Sequence, residues 1–387
     1  MHILVLPSWF PTKENPISGI FFIEQAEALA KYGNKVSILE FESRSIKSVF
    51  HGLTAIPFLP KFQFSLKNGV NYLNIQYVSF PRIRYFKNMQ IDILSDISIM
   101  KYKSRFGIPD IVHLHSFAMG EAAIRIKKRY HIPFVVTEHL TSFARDLITR
   151  KELRFAQNVF KAAAYRIAVS NEFCRLLYEK TGLKFSYIPN LVNTFFFECN
   201  SSDIRKKQEG FVFINVASLD SKKNHKMLLQ AFYAAFKDDL KVKLCIVGRG
   251  PLEHELQQMI DNLGMQERIF LLGQKSRNEV KSLLCESDAF VLSSKIETFC
   301  VAIIEALSCG LPVIATKSGG PESIITDRRL GELVECEESA LIEAMRNVYS
   351  IRYDKKFIRD YAVSNFSEGT VVKKLSLVYA KVIANTK

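Results

Sequence analysis

Short apolar runs rich in β-branched and aromatic residues alternate along the chain with stretches in which apolar positions recur every three or four residues. The first pattern predicts buried strands, and the second predicts amphipathic helices between them. The predicted strands lie at about 2–6, 35–41, 111–115, 134–137, 166–169, 185–188, 211–217, 242–247, 268–272, 288–292 and 312–315. Because strands and helices alternate, the pattern predicts an α/β fold built from parallel sheets with right-handed crossovers.

This alternation is interrupted once. Ile188-Pro189-Asn190 is followed by a polar stretch that ends at a new predicted strand beginning with Phe211. We therefore predict two doubly wound domains, residues 1–190 and 191–367, followed by a helix at about 368–387 that can pack back on the first domain. Because such sheets bind ligands at the carboxyl ends of their strands, the two domains are expected to face a central cleft.

The composition agrees with two folded domains. Of the 387 residues, 48% are apolar, which is enough for two cores and too many for a mostly disordered chain. No apolar run reaches the ~18 residues of a transmembrane helix, and the run Met1–Pro7 lacks the basic start of a signal peptide. The seven Cys form no C-x-x-C pair and are expected to be core thiols in a reducing compartment. The eight His are not spaced to complete a zinc site.

The charge is unevenly distributed along the chain. The net charge is +14, and residues 1–200 hold 26 Lys and Arg against 15 Asp and Glu. A nucleic acid, an anionic membrane surface or a phosphorylated substrate would each match this basic first half. An ordinary solvated surface would match it as well, so the charge alone does not select a partner.

Two Glu residues stand eight positions apart in the stretch Ser293–Leu307. Glu297 falls between a predicted strand and a predicted helix, and Glu305 falls about two turns further on, inside that helix. The N-terminus of a helix offers free N–H groups and a positive dipole end, which suits a diphosphate. Carboxylates at these two positions could accept hydrogen bonds from sugar and ribose hydroxyls. Taken alone, the pair could equally be two surface or capping residues.

Two further motifs follow in order. Gly310-Leu311-Pro312-Val313 leads into a predicted strand, and Gly319-Gly320-Pro321-Glu322 forms a tight turn after it, where the absence of side chains lets backbone donors approach a ligand. Together with the Glu pair, this ordered set resembles the C-terminal domain of family 4 glycosyltransferases. Their signature is a Glu-x₇-Glu helix, then Gly-x-Pro-Val, then a Gly-Gly turn followed by an acidic residue.

The resemblance implies a retaining glycosyltransferase of the GT-B fold, with two doubly wound Rossmann-like domains facing a central cleft. By this resemblance, Glu297 would position hydroxyls of the donor sugar and Glu305 would hold the ribose. The donor diphosphate would meet the backbone of the intervening loop and of the glycine turn, at Thr298, Phe299, Cys300, Gly319 and Gly320.

Two upstream segments extend the resemblance. Ile246–Leu252 matches a strand-to-helix glycine turn of the family and contains Arg249. Further upstream, the family carries an Arg and, five residues later, a Lys, and both cations face the donor diphosphate. Lys223 occupies the Lys position, whereas Ser218 replaces the Arg and brings a hydroxyl without charge. Lys222 or Arg249 could compensate for the missing cation.

The first half resembles the acceptor domain of the same family more loosely. The loop after the first strand contains Gly19, and in the family this loop approaches the diphosphate. The strand that ends at His139 matches one whose terminal His points into the cleft near the donor sugar. His113 and His115 end a neighbouring strand and are expected to be core or supporting residues.

The resemblance implies transfer of a hexose from a nucleotide diphosphate sugar, in the first place a UDP-sugar, with retention at the anomeric carbon. A glycan or lipid-diphosphate-linked glycan is the expected acceptor, in the synthesis of a surface polysaccharide or glycolipid. The expected catalytic residues are Glu297, His139 and Lys223, with neither Glu297 nor Glu305 as a covalent nucleophile. No Asp-x-Asp pair occurs, so no essential metal is expected, and no other cofactor is implied.

Residues 42–105 lack the resemblance and include Phe80–Lys87, in which aromatic residues alternate with Arg and Lys. Such a stretch could lie on a lipid surface or bind a phosphorylated acceptor, and it could equally be an ordinary amphipathic strand and loop. With the basic first half, it leads us to expect a cytoplasmic protein in peripheral contact with the anionic inner face of the plasma membrane.

Two other functions stay open at this point. A non-catalytic GT-B scaffold or a nucleic-acid-binding protein would match the basic half, but no RNA or DNA motif is recognisable and the complete donor-site set would be unexplained. A nucleotide-sugar 2-epimerase shares the GT-B fold but gives no reason for the Glu-x₇-Glu motif. We therefore expect no nucleic-acid partner.

Overall fold

The computed structural model of the protein describes residues 1–11, 18–45, 60–79, 84–199 and 210–386. Its strands form two sheets, one before and one after the crossover near residue 190. Both sheets are doubly wound, with helices on their two faces.

Eight strands form the first sheet: β1 (His2–Pro7), β2 (Lys35–Ser45), β3 (Lys61–Lys67), β4 (Val70–Ser79), β5 (Ile111–His115), β6 (Phe134–Glu138), β7 (Tyr165–Ala168) and β8 (Ser186–Tyr187). They lie in the order β3-β4-β2-β1-β5-β6-β7-β8, and only the β3–β4 pair is antiparallel. The helices of this part are α1 (Ile20–Lys31), α2 (Arg84–Phe106), α3 (Gly120–Tyr130), α4 (Arg150–Ala162) and α5 (Asn171–Thr181).

Six parallel strands form the second sheet: β9 (Phe211–Val216), β10 (Val242–Val247), β11 (Ile269–Leu271), β12 (Ala289–Leu292), β13 (Val313–Thr316) and β14 (Gly331–Val334). Their order is β11-β10-β9-β12-β13-β14, so the direction of winding reverses between β9 and β12. The helices that follow in chain order are α6 (His225–Phe236), α7 (Glu253–Asn262), α8 (Arg277–Glu286), α9 (Val301–Ser308), α10 (Glu338–Ser350), α11 (Lys355–Phe366) and α12 (Glu368–Ala384). No helix among the described residues is long and apolar enough to span a bilayer.

The chain passes between the two sheets twice. The amide of Val192 donates to the carbonyl of Phe366 over 2.9 Å, so the two crossovers lie side by side. α12 then returns to the first sheet, where Glu368 pairs with Lys31 of α1 at 2.7 Å. The hydroxyl of Tyr379 lies 2.7 Å from Nδ1 of His113, and both side chains are fully buried. The last helix thus completes the core of the first part of the chain.

Every predicted strand is present, and the predicted α/β fold with two doubly wound sheets is confirmed. The sequence patterns did not reveal β3, β4, β14 or α11. β3 lies at the edge of its sheet and nearly all of its residues are exposed, so its sequence carries no continuous buried run. β14 is only four residues long and begins with Gly331, whose φ of 132° is unfavourable for other residues.

The expectation of core thiols is wrong for two of the seven Cys. Cys199 on the first crossover and Cys285 in α8 form a disulfide with their Cα atoms 5.6 Å apart. The sulfur of Cys309, which follows α9, lies within 4.8 Å of both. These residues are far apart in sequence, so their spacing could not indicate that the fold brings three sulfur atoms together.

Candidate active site

The carboxyl ends of the strands of both sheets meet in a cleft, which several hydrogen bonds cross. The hydroxyl of Thr298, in the loop after β12, donates to the carbonyl of His139, just after β6, over 3.1 Å. The hydroxyl of Ser170, before α5, donates to the carbonyl of Gly319 over 2.9 Å. The predicted site residues of the two halves are therefore brought into contact.

Lys223 and Glu297 form an ion pair at this cleft. Nζ of Lys223 donates to Oε1 of Glu297 at 2.5 Å, and the hydroxyl of Ser294 donates to the same oxygen at 2.7 Å. Burial opposes the charge on Lys223, but the Glu297 carboxylate together with Cys300 and Asp220 outweighs it, so the pKa of the ammonium lies above its usual value. The pair forms because β9 and β12 are neighbours, so the loops that follow them meet.

The loop from Thr298 to Cys300 has an unusual backbone conformation. Thr298 and Phe299 are buried, and Cys300 adopts a φ of 89° immediately before α9 begins at Val301. A positive φ is costly for a residue with a side chain and is often retained at ligand sites. Burial raises the pKa of the Cys300 thiol to about 12, so the thiol stays protonated and is not a nucleophile.

The glycine turn packs directly against this loop. A Cβ atom on Gly320 would lie 2.5 Å from the carbonyl oxygen of Phe299, so no other residue fits there. The amide of Gly319, expected to face a ligand, instead donates to both oxygens of the Glu322 carboxylate, at 3.0 and 2.9 Å. Of the two glycines, Gly320 is required for close packing, whereas the Gly319 amide is already hydrogen-bonded.

Beside Glu297, Ser318 and Gly319 lies a pocket of about 320 Å³, whose other wall is α5 and Ala144. This volume is in the range of small-molecule sites. A pocket of about 760 Å³ lies at the amino ends of β9 and β13, the opposite edge of the second sheet. Doubly wound sheets bind ligands at the carboxyl edge, so we assign the candidate site to the pocket beside Glu297.

Glu305 lies in the second turn of α9. The sequence patterns did not single out Arg277, which lies near it, or Glu24, which pairs with Arg277. Burial raises the pKa of Glu305 to about 7, although the nearby Arg277 guanidinium acts in the opposite direction. Arg277, at the start of α8, is also paired with Glu24 of α1 across the cleft. A long-range ion pair of this kind leaves no pattern in the local sequence.

The pKa of Glu305 predicts a pH dependence for nucleoside binding. If ribose hydroxyls donate to the Glu305 carboxylate, the protonated form must lose its proton first, so affinity rises as the pH increases through 7. Uridine should bind about tenfold more weakly at pH 6 than at pH 8, because about nine in ten Glu305 side chains are protonated at pH 6. Calorimetry with uridine, which carries no phosphate to titrate, measures this change. A flat profile for Glu305→Gln is the control, and a flat profile for the unaltered chain would contradict the ribose contact.

The segment in which Ser218 replaces the expected Arg is held by its own hydrogen bonds. The hydroxyl of Ser218 donates to Asp220 at 2.7 Å, and the ammonium of Lys222 lies 3.6 Å from the same carboxylate oxygen. Arg249 is exposed, and its guanidinium lies near Gly273. Lys222 is thus engaged by Asp220, whereas the Arg249 guanidinium lies toward the loop that follows β11.

Three His side chains line the carboxyl ends of β5 and β6. Nδ1 of His115 lies 3.1 Å from Nε2 of His139, and the His113 and His115 rings are stacked with their centroids 4.1 Å apart. Burial lowers the pKa of His113 and of His139 to about 3, and that of His115 well below its usual value. All three imidazoles are therefore neutral near pH 7.

Two residues fix the loops of the first sheet around these His. Glu138 is fully buried, and its carboxylate accepts hydrogen bonds from the Ser116 hydroxyl and from the amides of Phe117, His139 and Leu140. The sequence patterns did not assign it a role. Gly19 has a φ of 75° immediately before α1, and a Cβ atom there would lie 3.0 Å from the Trp9 ring. A residue with a side chain would be strained at this φ and crowded against the Trp9 ring.

Sequence models of two glycosyltransferase families match the chain. "Glycosyltransferase Family 4" matches residues 19–195, and "Glycosyl transferases group 1" matches residues 197–362. A probable sucrose-phosphate synthase of Thermosipho melanesiensis is 26% identical over 351 residues, which are 82% of this chain and 80% of that protein.

Two further similarities concern another enzyme and a solved structure. A UDP-Gal:alpha-D-GlcNAc-diphosphoundecaprenol alpha-1,3-galactosyltransferase of Escherichia coli is 28% identical over 319 residues, 76% of this chain and 81% of that enzyme. The crystal structure of Anabaena HepE in complex with UDP and glucose superimposes with a TM-score of 0.76 at 16% identity, covering 98% of this chain and all of that one.

The structural similarity confirms the GT-B fold, and the two family models together account for both halves of the chain. The scaffold and epimerase alternatives are thereby set aside. The chain belongs to the family 4-type glycosyltransferases of the GT-B fold and is a hexosyltransferase.

Proposed function

We propose that the protein transfers a hexose from a UDP-sugar to a glycan or lipid-linked glycan with retention at the anomeric carbon. The observation that carries this proposal is the buried pair of Lys223 and Glu297 beside the loop and glycine turn of the second domain. The pair supplies one cation and one carboxylate at the carboxyl ends of β9 and β12.

In this proposal Lys223 stabilises the charge that develops on the departing diphosphate, together with the amides of the loop Thr298–Cys300. The two hydrogen bonds that Glu297 accepts both end on Oε1, so Oε2 is the oxygen that receives a sugar hydroxyl. Glu305 holds the ribose. Arg249 provides the second cation in place of the Arg that Ser218 replaces.

The two domains divide the substrates between them. We assign residues 1–190 to acceptor binding and 191–367 to the donor. UDP is the proposed nucleotide because HepE was solved with UDP and glucose and the Escherichia coli relative uses a UDP-sugar by its name. The same relative acts on a diphosphoundecaprenol-linked sugar, which supports a lipid-linked acceptor here.

A donor screen followed by product analysis tests the proposal. The full chain is mixed with UDP- and GDP-sugars, and binding is read from the rise in melting temperature that a ligand of the folded state produces. We expect one UDP-sugar to bind and to give, with EDTA present, an α-glycoside from its α-linked donor. Stabilisation by GDP-sugars alone would overturn the assignment of UDP. A product with inverted configuration would overturn retention. A loss of activity in EDTA that Mg²⁺ restores would overturn the expected independence of metal.

We also propose that the first domain binds an anionic membrane surface. The predicted basic contacts Arg82, Arg84 and Lys87 and the predicted apolar anchors Phe80, Tyr85 and Phe86 belong to residues 80–83 and to the side chains of 84–87, which lie outside the described part of the chain. Within the described part of the same domain, the edge strand β3 has exposed Phe64 and Leu66, and the Arg105 guanidinium of α2 lies 5.9 Å from the Phe64 ring centroid. This surface combines apolar and basic groups as a lipid interface requires.

Co-sedimentation with vesicles checks this membrane proposal. The chain is expected to pellet with vesicles containing anionic lipid at low salt and to remain largely in solution with neutral vesicles. Each Lys or Arg near the surface contributes about 1 kcal/mol, so a variant with Lys101 and Arg105 changed to Ala should bind tens of times more weakly. Binding that is equal for anionic and neutral lipid, or absent at low salt, would assign the basic charge to a different partner.

A further inference from the structure

The side chain of His115 has one ring nitrogen with a partner and one without. Its Nδ1 faces Nε2 of His139 at 3.1 Å. Its Nε2 is buried and has no hydrogen-bond partner among the described residues. The ring is 1% exposed and is covered by Phe22 of α1, with centroids 4.7 Å apart.

Two tautomer arrangements satisfy the 3.1 Å contact, because a neutral imidazole carries one N–H and the contact needs one hydrogen. In the first, His115 donates from Nδ1, its Nε2 is a bare acceptor, and His139 carries its hydrogen on Nδ1. In the second, His139 donates from Nε2, and His115 then buries an N–H group on its Nε2 that has no acceptor.

The first arrangement is the favoured one, since buried N–H groups without an acceptor are rarer than buried acceptors without a donor. We infer that His115 is a positioning residue that holds His139 in the tautomer with its hydrogen on Nδ1. His139 therefore presents an N–H donor to a ligand in the cleft and is not a proton acceptor there.

This inference names the chemistry that His139 recognises, and in this respect it rests on the proposed function. The carbonyl of His139 accepts the hydroxyl of Thr298, so the residue adjoins the loop assigned to the donor sugar, and its ring packs against Phe21 and Phe22 at the start of α1. An N–H group there hydrogen-bonds an oxygen of the substrate, either a hydroxyl of the donor sugar or an oxygen of the leaving phosphate. The neutral ring keeps this donor across the whole range near pH 7.

The tautomer can be measured directly by NMR on the full chain labelled with ¹⁵N in its histidine rings. Long-range ¹⁵N–¹H correlations distinguish the two nitrogens, and we expect the His139 ring to carry its hydrogen on Nδ1 in the ligand-free protein. Hydrogen on Nε2 would overturn the inference. Because no substrate is added, this result stands or falls independently of the proposed transfer reaction.

Variants then test whether His115 sets this tautomer. His115→Phe should convert His139 to a mixture of tautomers and lower kcat/KM about tenfold. His115→Asn can keep an N–H group near the former Nδ1 position, so it should preserve the His139 tautomer and kcat/KM. His113→Phe is the matched control, because His113 lies on the same strand but bonds to Thr137 and Tyr379, and Phe keeps the ring that stacks on His115. It should leave the His139 tautomer unchanged.

A double variant separates positioning from an independent effect. In the His139→Ala background, adding His115→Phe should lower kcat/KM no further, since His115 acts only through His139. A further tenfold loss in that background, or an unchanged His139 tautomer in His115→Phe, would show that His115 has a different role. If no variant and no unaltered chain transfers sugar, the proposed function fails while the NMR result remains interpretable.

Discussion

Replacing Glu297 by Ala is expected to lower kcat/KM for sugar transfer by ten- to hundredfold or more. A hydrogen bond to a charged group contributes about 1.5–3 kcal/mol, which corresponds to this range. The effect should be at the upper end, because Lys223 loses the partner that orients its ammonium at 2.5 Å. Leaving a buried cation unpaired also destabilises the fold by about 3–5 kcal/mol, so the melting temperature should fall.

Two controls separate the loss of the sugar contact from this loss of stability. Glu297→Gln keeps an acceptor for Lys223 and Ser294, so its stability should fall less than that of Glu297→Ala while transfer remains impaired. Glu335→Ala removes a carboxylate that is paired with Lys317 in the same domain but is exposed, and it should change neither quantity appreciably. Near-normal kcat/KM in a folded Glu297→Ala protein would refute the assignment.

The second large effect is expected for Lys223→Ala, which should weaken UDP binding by ten- to hundredfold while uridine binding changes less than about threefold. The reason is electrostatic, because charge-assisted bonds to a phosphate are about twice as strong as neutral ones. Ser218 brings no charge and Lys222 is paired with Asp220, so the site depends on few cations. Calorimetric titrations with UDP and uridine give the two affinities.

Removing Lys223 also leaves the Glu297 carboxylate near the diphosphate, where it would repel the ligand. The comparison should therefore be repeated in the Glu297→Gln background, in which a selective loss of UDP affinity reports the missing cation alone. Lys226→Ala is the matched control. Lys226 lies three residues after Lys223, is exposed, and is paired with Glu255. Equal losses for UDP and uridine would show that Lys223 does not contact the phosphates.

The pairing of Lys223 with Glu297 illustrates what the sequence can predict. Each residue follows a strand of a predicted parallel sheet, and β9 and β12 adjoin at the point where the winding reverses. Loops at the carboxyl ends of such strands meet, so alternating strands and helices suffice to bring residues 74 positions apart to one site. The fold class and the location of the cleft could be predicted in this way.

Other features depend on packing that no local pattern records. The ion pair between Arg277 and Glu24 and the disulfide between Cys199 and Cys285 each join elements that are distant in sequence. Their formation follows from how the helices of the two domains dock, which is set by many side chains together. The tautomer of His139 belongs to the same class, since it follows from a hydrogen-bond count around a buried ring.

The return of α12 to the first sheet has a consequence for how the chain is made. Domains usually fold in order as they leave the ribosome, N-terminal first. Here Val371, Leu375 and Tyr379 of α12 are buried in the core of the first sheet, and they are synthesised after all the strands of the second sheet. The second domain can therefore complete its core during translation while the first still exposes the groove that α12 fills. Until α12 has been synthesised, that apolar groove is open to chaperones and to aggregation.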